Sequence, residues 1–418
     1  MLQSPEVALD EYAVSSEHGF LPDGLPLPAL NQPYYAPWET LAYRLPSLIQ
    51  TGQIRYLIND LPILSPSWLQ TEAEWRRAYV VLGFLTHAYI WGGEKPRDKK
   101  NLIAINPQVL PSSISKPFLE VSSHLELPPC ATYAGLTLWN FTTTHPEADI
   151  TNPDNLTLLT SFTGTKDEDW FIAISVTIEA KGAKLVPLML DAIAAVTASD
   201  IPRLTALLCQ FTDRLQDLND TLKRMYEKCA PAVFFHQLRP FLAGSKNMTT
   251  AGLPYGVFYD VGDGQGEWHQ YSGGSNAQSS LIQTFDIFLG VNHSATGEIR
   301  PPGTGYIQEM RNYMPAPHRR FLETFSALSN IRPYILSSQA ESPAKEAYNA
   351  AVLTLSSFRD THIQIVSRYI IMPSRTRAPV ELDQAAQAHR VNLTTASSQV
   401  KDLGEMNRTG LYGTGGRA

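Results

Sequence analysis

Between Leu204 and Met225 the residues Leu204, Leu207, Leu208, Phe211, Leu215, Leu218, Leu222 and Met225 return every three or four positions. That spacing puts them on one face of an α-helix, a face that must be buried against another element. Asp200 is a capping residue and Pro202 falls in the first turn, so the pattern predicts an amphipathic rod of about eight turns. A second stripe, with Tyr348, Val352, Leu355, Phe358, Ile365, Val366 and Tyr369, follows Ser342-Pro343 and predicts the longest helix, stopped by Pro373. Thr71 with Glu74 forms a capping-box pattern that predicts a helix over Glu72–Trp91, ended by Gly92 and Gly93. Pro231 opens another helix that carries Phe234, Phe235 and Leu238 and ends near Gly244. Rods of this kind commit the chain to a helical architecture.

Between the rods the reading is less regular. The first 40 residues, with Pro22, Pro26, Pro28, Pro33 and Pro37, read as an extended wrap that denies helix. The polar segment Thr142–Asn155 reads as a linker, dividing a smaller N-terminal domain (1–155) from a larger helical one (156–418). Val261–Gly274 reads as a glycine-rich loop leading into a helix with Leu281, Ile282, Phe285 and Phe288. Residues after Pro373 read as a mobile loop. The fold class expected is all-α, in two domains.

Charge narrows the partners. Lys and Arg number 33 against 40 Asp and Glu, a net charge of −7, which gives no basic footprint for nucleic acid. The most apolar stretch, Ala78–Trp91, is interrupted by Gly83, Thr86 and His87, so no membrane span is expected. The N-terminus is neither basic nor followed by an apolar core, so no secretory signal is expected. Three scattered cysteines, Cys130, Cys209 and Cys229, fit a reducing compartment, and a cytoplasmic location is expected.

The familiar catalytic signatures HExxH, CxxC and GxSxG are absent. Gly262, Gly264 and Gly266 have the wrong spacing for a phosphate loop and read as a surface turn. His362 is the most informative residue, because it falls on the buried stripe of the longest helix. Imidazole among apolar groups is either a core histidine satisfied by a neighbour or a metal ligand in a helical bundle; periodicity does not choose. Arg239 follows two phenylalanines on a short apolar helix and is either an ion-pair residue or a cation aimed into an aromatic cleft, suited to a carboxylate. The turns Gly273-Gly274-Ser275 and Gly413-Thr414-Gly415-Gly416 allow close backbone approach to a ligand, or are ordinary loops.

The blocks Leu125–Pro129 with Tyr133-Ala134, Gly273–Ser280, Phe285–Gly290, Met310–Pro315, Ala316–Arg319 and His362–Val366 with Tyr369-Ile370 occur in one order. In that order the chain resembles the indoleamine 2,3-dioxygenase family along nearly its whole length. The resemblance implies an all-α fold with haem b between the two domains and His362 as the proximal iron ligand. It implies that Arg359 and Asp286 pair near that side, and that Ser275 lines the haem edge. Phe235 and Arg239, with Phe234 adjacent, match the family's substrate-side Phe-x-x-x-Arg element. Tyr133, Ser175 and Gly274 match positions around the substrate, and Thr414 matches the Gly-Thr-Gly-Gly turn. Arg417 stands where a threonine usually follows that turn, a departure that bears on closure over the substrate. The activity implied is insertion of O₂, by ferrous haem, across the indole C2–C3 bond of L-tryptophan to give N-formylkynurenine, the first step of the kynurenine route toward NAD, in a monomer. The rivals are a haem- or O₂-binding relative without turnover, and a helical interaction module without cofactor.

Overall fold

A computed structural model describes residues 7–93, 108–291, 305–337 and 342–375. Helix α1, Glu72–Trp91, begins as its capping box requires. The Thr71 hydroxyl accepts from the Glu74 N–H at 3.3 Å, and the Glu74 carboxylate accepts from the Thr71 N–H at 2.9 Å. Every residue from Arg77 to Ile90 is buried, so α1 runs through the interior. The other long helices are α2 (Ser112–His124), which packs on α1, α3 (Lys166–Gly182), α4 (Leu185–Thr197), α5 (Ile201–Lys223), α6 (Ser280–Phe288), α7 (Ala316–Leu328) and α8 (Ser342–Val366). The helical class expected from the sequence is the class observed.

The long amphipathic rod is present but divided. Asp200 caps α5, and Leu204, Leu208, Phe211, Leu215, Leu218 and Leu222 are buried as their spacing requires. At Arg224 the ladder tightens to an i→i−3 bond, and a separate turn, Met225–Lys228, follows. The buried stripe of α5 packs along α8 more extensively than any other pair of elements, and Phe211 meets Phe285 and Phe288 of α6 at 5.6 and 5.0 Å. In the last turns of α6, Asp286 then meets Arg359 of α8.

Three expectations need correction. The 261–274 segment is not a loop: β4 (Val257–Gly262) and β5 (Gln265–His269) form an antiparallel hairpin, and β1 (Val109–Leu110) joins β4 in parallel. The glycines supply its tight turn, with positive φ at Gly262, Asp263 and Gly264. The N-terminal region is not wholly extended, since Pro33 and Pro37 sit in the first turns of the helical stretches Pro33–Tyr35 and Ala36–Tyr43, where a missing N–H costs nothing. Pro373 does not stop the helical path after α8. A wide turn, Ser367–Ile371, intervenes, and Pro373 lies in the first turn of Met372–Arg375. The 142–155 segment is closed at its base, where β2 (Phe141–Thr143) pairs antiparallel with β3 (Leu156–Leu158). The residues expected as a mobile loop lie, from 376 onward, outside the described residues.

Three wide turns carry i→i+5 hydrogen bonds. Trp139 N–H donates to Ala134 C=O, Arg239 N–H to Phe234 C=O, and Met372 N–H to Ser367 C=O. The second lies inside the helical run from Pro231 to Leu242. That run ends where Ala243 bridges Gly273, a crossing so close that a Cβ on Gly244 would strike the Tyr271 carbonyl and the Gly273 backbone. Gly244→Ala is expected to lower the unfolding free energy by about 1–3 kcal/mol through forced backbone displacement. Gly24→Ala, where a Cβ meets nothing within 4 Å, should leave it unchanged; denaturant unfolding of the two variants checks both.

Candidate active site

Beside the close crossing of Gly244 and Gly273, Ala243, Ser272 and Gly274 form one wall of a cavity of about 290 Å³, lined mainly by apolar side chains. Its other walls come from α3, the 134–138 wide turn, the 231–242 run, the start of α6 and the end of α8. Tyr133, Ser175, Phe234, Arg239, Gly274, Ser275, Asp286, Arg359 and His362 all lie on this lining. Residues more than 220 positions apart in the chain are brought to one space. Phe235 is not on the lining; it is buried behind it, with the Arg239 guanidinium 5.3 Å above its ring. Thr414 and the turn around it lie outside the described residues.

His362 stands on the inner face of α8. Its imidazole is half-buried and meets the cavity, and among the described residues it makes no hydrogen bond. Burial pushes its pKa down to about 4, so the ring is neutral near pH 7 and keeps a free lone pair. One turn earlier Arg359 pairs with Asp286 of α6, both about 5% exposed. The sequence places Arg359 and His362 three apart, on the same helix face. No group of three or more His, Cys, Asp or Glu that could hold a metal ion occurs among the described residues.

Arg239 differs from Arg359. It is 7% exposed, has no carboxylate partner among the described residues, and its Nη1 is buried without a hydrogen bond. Burial lowers its pKa to about 10, which leaves it charged at neutral pH. Among the described residues, no ion pair engages it. A buried, unpaired guanidinium on a cavity wall is a site for an anion. Beside it the wall is aromatic: Phe234 packs tilted on Phe171 at 4.9 Å and edge-on to Tyr369 at 5.7 Å.

His87 of α1 ties two walls together. The Ala131 N–H donates to its Nε2 at 3.0 Å, so Nε2 carries no proton, and Nδ1–H donates to the Phe241 carbonyl at 2.7 Å. Burial holds its pKa near 4 and keeps that neutral form. On one side this clip anchors the segment bearing Tyr133, on the other the segment bearing Arg239. Sequence reasoning treated His87 only as a break in an apolar run. It also passed over Phe171 and Thr137 on the lining. Phe171 had a signal, since it precedes Ser175 by one helical turn. Thr137 sits in a wide turn that no sequence periodicity announces.

The family model described as indoleamine 2,3-dioxygenase matches residues 8–418. The indoleamine 2,3-dioxygenase nanC of Aspergillus nanangensis is 45% identical over 381 residues, covering 89% of each chain. The indoleamine 2,3-dioxygenase of Saccharomyces cerevisiae is 40% identical, covering 89% of this chain and 82% of its own. The 6-hydroxytryptophan 2,3-dioxygenase fscD of Fusarium equiseti is also 40% identical, covering 88% of this chain and 86% of its own.

The Asp286–Arg359 pair gives a stability prediction. Asp286→Ala leaves a guanidinium buried without its carboxylate and is expected to cost about 3–5 kcal/mol in denaturant unfolding. Joint replacement by Asp286→Leu and Arg359→Met should recover most of that loss, because two apolar groups need no pairing.

Proposed function

The chain belongs to the indoleamine 2,3-dioxygenase family, enzymes that incorporate O₂, and from that premise we propose that it opens the indole ring of L-tryptophan with haem as its cofactor. The observation that carries the reading is a neutral His362 and a charged Arg239, both without a polar partner among the described residues, on one mainly apolar cavity. A bare metal ion needs several protein ligands, whereas a porphyrin brings four nitrogens of its own and would need one protein donor, which His362 would supply. A single histidine without a surrounding ligand cluster fits the second case. Asp286 and Arg359 then steady α8 beside that ligand. When bound, haem supplies the iron that activates O₂.

The rest of the work falls to the chain's own side chains. Arg239 grips the substrate carboxylate, Phe234 and Phe171 offer the indole an apolar wall, and the cavity keeps water from the reacting ring. No general acid or base is required, in keeping with the absence of the usual catalytic signatures. The product is N-formylkynurenine, which enters the kynurenine route toward NAD. Ring-hydroxylated tryptophans form a second substrate class. Ser175 and Thr137, both hydroxyl residues, line the same cavity, and the Fusarium relative is named for 6-hydroxytryptophan.

Two measurements test the reading. His362→Ala is expected to lose the Soret band that the haem-reconstituted protein shows; a variant that kept a full band and normal turnover would overturn the ligand assignment. Arg239→Ala should keep haem and lose about 10- to 150-fold in kcat/KM for tryptophan, the worth of a charged hydrogen bond. Tryptamine, which has no carboxylate, should be affected little. Arg239→Lys should recover only a small part, since a point charge lacks the planar fork. An equal loss on both substrates would move the carboxylate site elsewhere.

A further inference from the structure

Glu179 is the one acid in the otherwise uncharged run Trp170–Ala180 of α3, a single turn beyond Ser175. It is 1% exposed and lies behind the cavity wall rather than on it. Its Oε1 accepts from the Tyr133 phenol at 3.0 Å and from the Ser279 hydroxyl at 2.7 Å. Its Oε2 is buried and has no hydrogen-bond partner among the described residues. Both donors line the cavity. Ser279 Oγ in turn accepts from the Ile282 N–H, capping α6, and the Tyr133 N–H donates to Gln278. One carboxyl oxygen thus straps α3, the segment around Tyr133 and the start of α6 together.

Both straps are hydroxyls, and a hydroxyl proton rotates. While it points to Glu179 it is withheld from whatever occupies the cavity. We propose that Glu179 is a positioning residue that turns the Tyr133 and Ser279 hydroxyl protons out of the cavity, and that through them it makes substrate binding respond to pH. The second clause rests on the dioxygenase reading above; the first does not.

Burial raises the Glu179 carboxyl to about 7, although its two hydroxyl donors pull the other way. The Tyr133 phenol is the titratable group that faces it, and burial and Glu179 together push that phenol well up. No charged side chain acts on Glu179 from the elements packed around it among the described residues. On α3 the neighbouring Lys181 pairs outward with Asp217, and on α6 Asp286 is taken by Arg359. Above about pH 7 the carboxylate is ionised and both bonds are charge-assisted. Below it the protonated carboxyl is a weaker acceptor and the hydroxyls are freer to turn inward. KM for tryptophan is therefore expected to rise as pH falls through about 7.

The ligand-free protein gives the first readout. Infrared difference spectra between about pH 6 and about pH 8 should show a buried carboxylic-acid carbonyl band that titrates and is missing in Glu179→Gln. In the haem-loaded enzyme, wild-type KM for tryptophan should rise about fivefold over the same fall in pH, the difference between a charged and a neutral hydrogen bond. In Glu179→Gln, which keeps an oxygen for both hydroxyls but does not titrate, that step should vanish. Tyr133→Phe keeps the ring, drops the phenol and should shrink the same step, so it serves if the glutamine variant does not fold. A variant profile that follows the wild type, or a carbonyl band that does not titrate in this range, overturns the proposal. A wild type inactive at every pH counts against the dioxygenase reading instead, and the infrared result then decides Glu179.

Discussion

Asp286 and Arg359 face each other with almost no access to water, one on α6 and the other on α8. An ion pair so placed is a constraint more than a source of stability, because desolvating both charges offsets most of their attraction. Neither helix can shift along the other without stranding a charge. Since His362 lies one turn beyond Arg359, that constraint also sets where its imidazole meets the cavity. The stacked apolar stripes hold α5 against α8; the pair fixes the register of α6 on α8.

The interior then sorts its polar groups by whether the fold has already used them. His87, Glu168 and Gln278 are buried and occupied by partners within the chain, Glu168 by four donors from Ser161, Phe162 and Thr163. Arg239 Nη1 and the imidazole of His362 have no such partner among the described residues. In a protein interior, groups left over in this way mark what the fold reserves for something else.

The sequence was legible where one helix face decides everything. The Thr71–Glu74 cap, the α5 stripe and the burial of the α8 face follow from local rules that tertiary contacts did not override. The hairpin was missed because its glycines hid the alternation of Val257 and Tyr259, and because β4 gains a partner, β1, from nearly 150 residues away. Of the site, the residues that carry a family resemblance could be named, but their convergence could not be derived from spacing. Phe234 and Phe235 show the limit. They are adjacent, equally apolar, and only the backbone geometry decides that the first faces the cavity while the second lies beneath Arg239.

That geometry comes from the wide turn Phe234–Leu238, and the other two wide turns also border the cavity, with Leu136, Thr137, Tyr369 and Ile370 on its lining. A wide turn holds one residue more than the regular helix around it. Removing that residue would restore an ordinary helix and swing everything beyond it by about 100°. The reading frame of the cavity is thus written in single-residue insertions. Point substitutions can adjust its chemistry by degrees, but a one-residue deletion in either of the two turns set within helices, Phe234–Leu238 or Ser367–Ile371, would rotate a whole wall out of place.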